Sequence, residues 1–169
     1  FLYGAALAYA ATGTLTLTEL APQIGSSQMG LLGVGLIAAS LFFKVSVFPF
    51  HFWAPDVYEG SPTPVTTFLA VGSKAAGFGV LVRFVDAVFL GDAMDPDWVH
   101  RFSTVVAVIA AITMTYGNVT AVLQRNVKRL LAYSSIAHAG FLLMGVAAMT
   151  TGTPDGPALG MDALLFYLA

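Results

Sequence analysis

The chain has 169 residues, of which 57% are hydrophobic and 9% charged, with a net charge of −2 and a mean hydropathy of +0.82. Soluble domains carry about 25% charged residues, so this composition leaves too little polar surface for water and indicates a polytopic membrane protein. The absence of cysteine excludes disulfides, thiolate metal sites and a cysteine nucleophile; the three scattered histidines lack a metal-ligand spacing, and no basic run with interleaved aromatics supports nucleic-acid binding.

Residues 1–11 read as the C-terminal half of a transmembrane helix, and 12–28 as a polar, turn-rich loop. Residues 29–53 are apolar apart from Lys44 and His51 and long enough to cross a hydrocarbon core of about 30 Å. Pro49 lacks an amide donor and its ring opposes the carbonyl four residues back, at Val45, which predicts a kink or break between Lys44 and Pro49. Residues 54–64 hold Pro55, Pro62, Pro64 and Gly60 beside Asp56 and Glu59 and read as a loop. Further spans follow at 65–90, 98–123 and 130–149, separated by an acidic loop (91–97), a basic loop (124–129) and a Gly/Pro turn (150–157). Residues 158–169 begin another span. The apolar runs at both ends predict an internal piece of a longer membrane protein, one transmembrane domain in all-α, helix-bundle form.

Orientation follows from basic residues in short loops. Arg125, Lys128 and Arg129 predict a cytoplasmic 124–129 loop, and alternation places 54–64 on the same side. The 12–28, 91–97 and 150–157 loops then lie outside. Trp53, Tyr58 and Trp98 fit interfacial belts, as do His100 and Arg101, while Arg83 and Asp86 are spaced for a local ion pair.

Two lysines carry the functional reading. Lys44 and Lys74 flank the 54–64 connection at comparable depth, roughly 15 Å in at the helical rise. A lysine there costs at least about 2.5 kcal/mol on insertion scales, and intramembrane ionisable groups mark ion paths by default. Snorkelling suits residues within a turn of an interface, and no acid at that depth offers a static ion pair. Burial and nearby water pull a lysine's proton affinity in opposite directions, so both residues are candidate proton-transfer sites. Ser46, Ser73, Thr66 and Thr67 are candidate holders of bridging water, and Gly72, Gly77 and Gly79 form a small-residue face. His138, among the hydroxyls of Tyr133, Ser134 and Ser135, is a third proton-transfer candidate, with a hydrogen-bonded packing role as its alternative.

The stretch from Phe43 to Val65, with its Pro-Asp-Val-Tyr-Glu-Gly-Ser-Pro-Thr-Pro block at 55–64, and the stretch Gln124-Arg125-Asn126-Val127-Lys128-Arg129 through Tyr133-Ser134-Ser135-Ile136-Ala137-His138 resemble the subunit N family of bacterial proton-pumping NADH:quinone oxidoreductase (respiratory complex I), the counterpart of mitochondrial subunit 2. The similarity runs along essentially the whole chain. The 55–64 block separates this family from subunits L and M and from Mrp-type sodium/proton antiporter subunits. The resemblance implies an antiporter-like fold of about fourteen helices with inverted repeats, each holding a broken helix. Lys44 then matches the lysine of broken helix 7, Lys74 that of helix 8, and His138 a polar position on helix 10. A helix 5 glutamate and a helix 12 lysine that complete the family's path are not among these residues. It also implies that the chain holds no redox cofactor, with NAD, FMN, iron–sulfur clusters and quinone handled by other subunits. The implied partners are an M-like subunit, the small membrane subunits and the lipid bilayer, in the bacterial plasma membrane. A Mrp-type cation/proton antiporter subunit and a structural membrane scaffold are the competing readings.

Overall fold

The computed structural model describes residues 1–24, 27–90, 95–151 and 156–168, and among them it is helical with no strand. Parts of three expected loops therefore lie outside the described residues: Gly25 and Ser26, 91–94 with Asp92, and the 152–155 turn. Helix α1 spans Leu2–Thr12 and closes on Gly13, whose φ of 74° provides the left-handed stop. A short helix, α2 (Leu17–Ile24), occupies part of the expected 12–28 loop, and its Leu20 and Ile24 are buried. Helix α3, Gln28–Val45, starts where Ser27 accepts a hydrogen bond from the Gly30 amide.

The expected interruption is present, and its geometry is set three residues before the proline. Ser46 adopts φ 61°, ψ 46°, its amide donates to the Phe43 carbonyl, and the Val47 amide donates to Phe42. That pair of bonds is a Schellman closure built on a serine rather than a glycine. Phe42 and Val47, both buried, supply the apolar contact that accompanies it. The Phe48 amide, freed by the break, donates to Thr113 Oγ1 at 3.1 Å, so broken backbone is satisfied from a neighbouring helix.

The chain does not continue as a loop. Helix α4 (Trp53–Gly60) covers most of the expected 54–64 connection, with Pro55 in its first turns, where a missing amide costs little. From Thr63 to Phe89 the chain is one long apolar rod, composed of α5 (Thr63–Phe68), a π-helical segment (Leu69–Ser73) and α6 (Lys74–Phe89). The wider π turn shifts the register of everything after it. No residue of α5 or the π segment is buried, whereas α6 buries Lys74, Gly77, Phe78 and Leu81, a helical stripe.

Helix α7 (Pro96–Val122) begins on Asp95, which accepts from the Asp97 amide at 2.9 Å, with Pro96 at the first helical position. Helix α8 (Val127–Met149) begins on Asn126, which accepts from the Lys128 amide; α9 runs Gly156–Leu168. The membrane-length helices are Gln28–Val45, Thr63–Phe89, Pro96–Val122 and Val127–Met149. Helix α8 is the hub, packed on α7, α9, α4 and α6. Its backbone meets α7 almost directly: a Cβ at Gly140 would stand 2.9 Å from the Met114 amide nitrogen, and one at Gly117 2.8 Å from that of Ala137. Glycine is required there by contact rather than by backbone conformation. The apolar core continues through α3, α6, α7 and α8, while α7 leaves Val105, Val108, Ile112 and Val119 exposed, a surface suited to lipid.

Candidate functional site: the cleft beside Lys74

Lys74 is buried, 7% exposed, at the point where the π segment returns to α-helix. Its ammonium donates to the backbone carbonyl of Ser135 and to Ser135 Oγ at 2.6 Å, both on α8. Among the described residues no carboxylate reaches it, and the ion pairs are Arg83–Asp86, Arg129–Asp56 and Arg129–Glu59. The static ion-pair alternative for Lys74 therefore finds no partner among the described residues. A cleft of about 450 Å³ opens beside it, lined by Tyr58, Thr66, Thr67, Lys128, Ser134, Ser135, His138 and Tyr167. Ser134, Ser135 and His138 share a face of α8 because residues three and four apart stack along a helix.

His138 lies in this cleft, and its Nδ1 is hydrogen-bonded with the Tyr167 hydroxyl of α9. Lys74 and His138, widely separated in sequence, are thus brought to one cavity. Lys44 is not in it. It is exposed, makes no hydrogen bond or ion pair among the described residues, and runs past α6 so that a Cβ at Gly77 would lie 3.5 Å from its Cγ. Since Gly77 is one turn beyond Lys74, the two lysines flank the same stretch of α6. Of the other glycines expected on that face, Gly79 has open space and Gly72 meets its own helix's Phe68; only Gly77 is a packing point.

The expected water-holding residues divide. Thr66 and Thr67 line the cleft, whereas Ser46 and Ser73 lie outside it. Thr66 Oγ1 donates to the Tyr58 carbonyl at 3.1 Å, and Thr67 Oγ1 to Thr63 at 3.0 Å. Ser46 Oγ is buried without a hydrogen-bond partner. His51 was legible only as a polar residue in an apolar run. It is 1% exposed, its ring nitrogens have no partner, and it stands among the rings of Phe48, Phe52 and Tyr116.

The aromatics expected at the boundaries have protein contacts that spacing did not show. Tyr58 is 1% exposed and turned into the cleft. Trp53 uses its indole to donate to the Phe43 carbonyl at 2.9 Å, which ties α4 back to the end of α3. Trp98 keeps a surface role, with Arg101 stacked 5.6 Å above its ring, and the expected Arg83–Asp86 pair is present at 3.5 Å.

Asp56 and Glu59 have a role that local spacing did not reveal. Arg129 Nη1 donates to Asp56 at 2.7 Å and to Glu59 at 2.8 Å. Asn126 donates to Glu59 Oε1 at 2.6 Å, and Lys128 to the carbonyls of Ser61 and Glu59. The start of α8 is thereby latched to α4. The available signal was the presence of two acids and three bases in loops predicted to share one side. Arg129→Ala is expected to release α4, read as faster amide exchange across 53–60 in the assembled protein while 96–122 exchanges as before. Equal exchange in both segments would mean that the latch holds nothing.

The fold and site define a polytopic membrane helix bundle with a broken helix and a buried lysine that has no carboxylate partner among the described residues, beside a cleft edged by hydroxyl groups. The chain matches, over residues 1–168, the family described as NADH:quinone oxidoreductase/Mrp antiporter, TM, and it belongs to that family. It is 50% identical to NADH-quinone oxidoreductase subunit N of Mycobacterium tuberculosis (strain ATCC 25618 / H37Rv), covering 99% of this chain and 30% of that protein. Identity to the subunit N of Myxococcus xanthus is 51%, over 99% and 36%. The chain thus spans about a third of the length of these relatives. Among solved structures it is similar to a chain of respiratory complex I from Thermus thermophilus, with 41% identity, a TM-score of 0.72 and coverage of 99% and 33%. A chain of the Mrp complex from Dietzia sp. DQ12-45-1b has 25% identity and a TM-score of 0.79, over 99% and 29%. The backbone is common to both assemblies, while the higher sequence identities fall on the oxidoreductase side.

Proposed function

We propose that this chain is the lysine-bearing section of a proton-translocating membrane subunit of NADH:quinone oxidoreductase. Proton transfer through its cleft would be coupled to quinone reduction elsewhere in the complex. The observation that carries the reading is Lys74, buried with only the hydroxyl and carbonyl of Ser135 as partners among the described residues. Without a carboxylate to hold its proton, a small change in hydration can decide its charge. Lys74, His138 and Lys44 are the chain's proton-transfer residues, the first two sharing the cleft and Lys44 coupled to it across Gly77. In this reading NAD, FMN, iron–sulfur clusters and quinone belong to other subunits, and the partners are M-like and small membrane subunits in the bacterial plasma membrane. Identities of 45–50% to subunit N proteins across the chain favour this over a Mrp-type antiporter.

Deleting the full-length subunit tests it. NADH-driven proton pumping in membrane vesicles is expected to disappear, whereas an antiporter subunit would leave it unchanged. Topology gives a second test. The latch joins 56–61 to 126–129, so both connections share one face, and the basic residues place that face in the cytoplasm. Ser61→Cys and Arg125→Cys are expected to react with an impermeant thiol reagent only in inverted vesicles. Reaction of either in right-side-out cells would reverse the orientation.

A further inference from the structure

Tyr58 is the one large polar side chain of the cleft whose chemistry nothing above uses. It comes from α4, on the far side of the helix break from Lys44, and reaches the cleft occupied by Lys74, Ser135 and Thr66. It is 1% exposed, yet its hydroxyl meets no partner in full hydrogen-bond geometry among the described residues, with Ser135 a close polar neighbour. A buried hydroxyl left unpaired forfeits its solvation without return, so burial of this kind normally implies a water or ligand on the oxygen. The cleft has room: about 450 Å³ against about 30 Å³ per water. It also has partners, since Ser135 Oγ, the Lys74 ammonium and the Thr66 and Thr67 hydroxyls line the same space, enough for the two to four bonds a buried water needs. Burial pushes the Tyr58 phenol above its ordinary range, and the neighbouring Ser135 hydroxyl pulls the other way. The group is therefore a protonated hydroxyl, able to donate and accept at once.

We propose that the Tyr58 hydroxyl is a proton-relaying group for Lys74, joined to it by a water held against Ser135, and this rests on the proton-path reading above. The hop is concerted. The phenolic O–H passes its proton to the bridging water, which passes one to neutral Lys74 Nζ. An excess proton, arriving as hydronium in the water at the Lys128 end of the cleft, forms a new O–H bond at the same phenolic oxygen and leaves neutral water, so the phenol ends as it began. The Arg129 latch on Asp56 and Glu59 holds α4, and hence this hydroxyl, at the cleft. The other titratable or charged groups lining that space are Lys128 and His138 of α8 and Tyr167 of α9.

Tyr58→Phe removes the hydroxyl and keeps the ring, and 3-fluorotyrosine at position 58 keeps both while making the phenol more acidic. Each is placed in the full-length subunit within the assembled complex, beside Lys74→Ala, and quinone-linked proton pumping is measured against pH, normalised to assembled complex. The expected result is a loss of about two- to tenfold in Tyr58→Phe, the effect of one hydrogen bond. The fluorotyrosine variant should shift the pH profile, with Lys74→Ala more severely impaired than either. A packing role for Tyr58 predicts parental pumping in both Tyr58 variants, and that outcome overturns the relay while leaving the Lys74 reading intact. A defect in Tyr58→Phe with an unshifted profile for the fluorotyrosine variant also overturns it, because a relaying phenol must respond to its own acidity. Parental pumping in Lys74→Ala overturns both.

Discussion

Lys74→Ala is expected to lower quinone-linked proton pumping by about tenfold or more per assembled complex, within the range that a lost acid–base group produces. NADH oxidation by an artificial acceptor is expected to be unchanged. The substitution removes the donor to Ser135, and no other described cation occupies the same position on α6. Lys44 sharpens the test because it is the exposed member of the pair. Lys44→Ala and Lys44→Arg are both expected to impair pumping, since a guanidinium does not release its proton in proteins. Full pumping in Lys44→Arg beside a defect in Lys44→Ala would show that only the charge is needed. That result would remove Lys44 from the relay and return it to a scaffold role. The measurement is vesicle acidification for the three variants, normalised to assembled complex.

Gly140→Leu is expected to damage the packing of α7 on α8 severely. A Cβ there would stand 2.7 Å from Met114 Cγ, 2.9 Å from the Met114 amide nitrogen and 3.1 Å from the Ala110 carbonyl oxygen, and backbone atoms of a packed helix cannot retreat as a side-chain tip can. Overpacking costs about 1–3 kcal/mol in ordinary cores and more when backbone must move. The variant is therefore expected to lower the thermal midpoint and yield of the assembled protein. It also displaces α8, which carries Ser135 and His138, so pumping per assembled complex falls with it. Gly79→Ala is the control, because nothing lies within 4 Å of the added atom and alanine favours a helix by up to about 1 kcal/mol over glycine. Equal stability in Gly140→Leu and Gly79→Ala would mean that α7 and α8 are not in backbone contact.

Much of the site is legible in the sequence because the membrane simplifies the physics. Hydropathy, loop charge and the cost of a charge in hydrocarbon act along the chain, and they identify the spans, the break near Pro49, Lys44, Lys74 and His138 without knowledge of packing. They do not reveal the π segment before Lys74, since one extra residue in a turn leaves composition and hydropathy unchanged. That segment nonetheless decides that Lys74, rather than its neighbours, meets Ser135. The 54–64 stretch reads as a loop because proline and glycine dominate its composition. Helix α4 forms there because Pro55 falls within its first turns and the Arg129 latch holds its far end.

The sequence by itself determined the membrane class, the family, the presence of two lysines beside a broken helix, and the likeness of the 124–129 and 54–64 connections in their placement. These depend on transfer energies and local steric rules, which each residue carries wherever it is placed. The tertiary structure alone decided which polar groups share a cavity. Lys74 meets Ser135 and shares its cleft with His138 because Gly117 and Gly140 let α7 and α8 touch, fixing the helix that carries both residues. Lys44 remains outside that cavity, at Gly77. Tyr58, which reads as an interfacial aromatic, is buried at the cleft because α4 folds back and is latched to α8. Such assignments depend on contacts between residues 60 or more positions apart, of which Arg129–Asp56 and Lys74–Ser135 are examples. Local pattern carries no term for those contacts, and only the packed helices supply it.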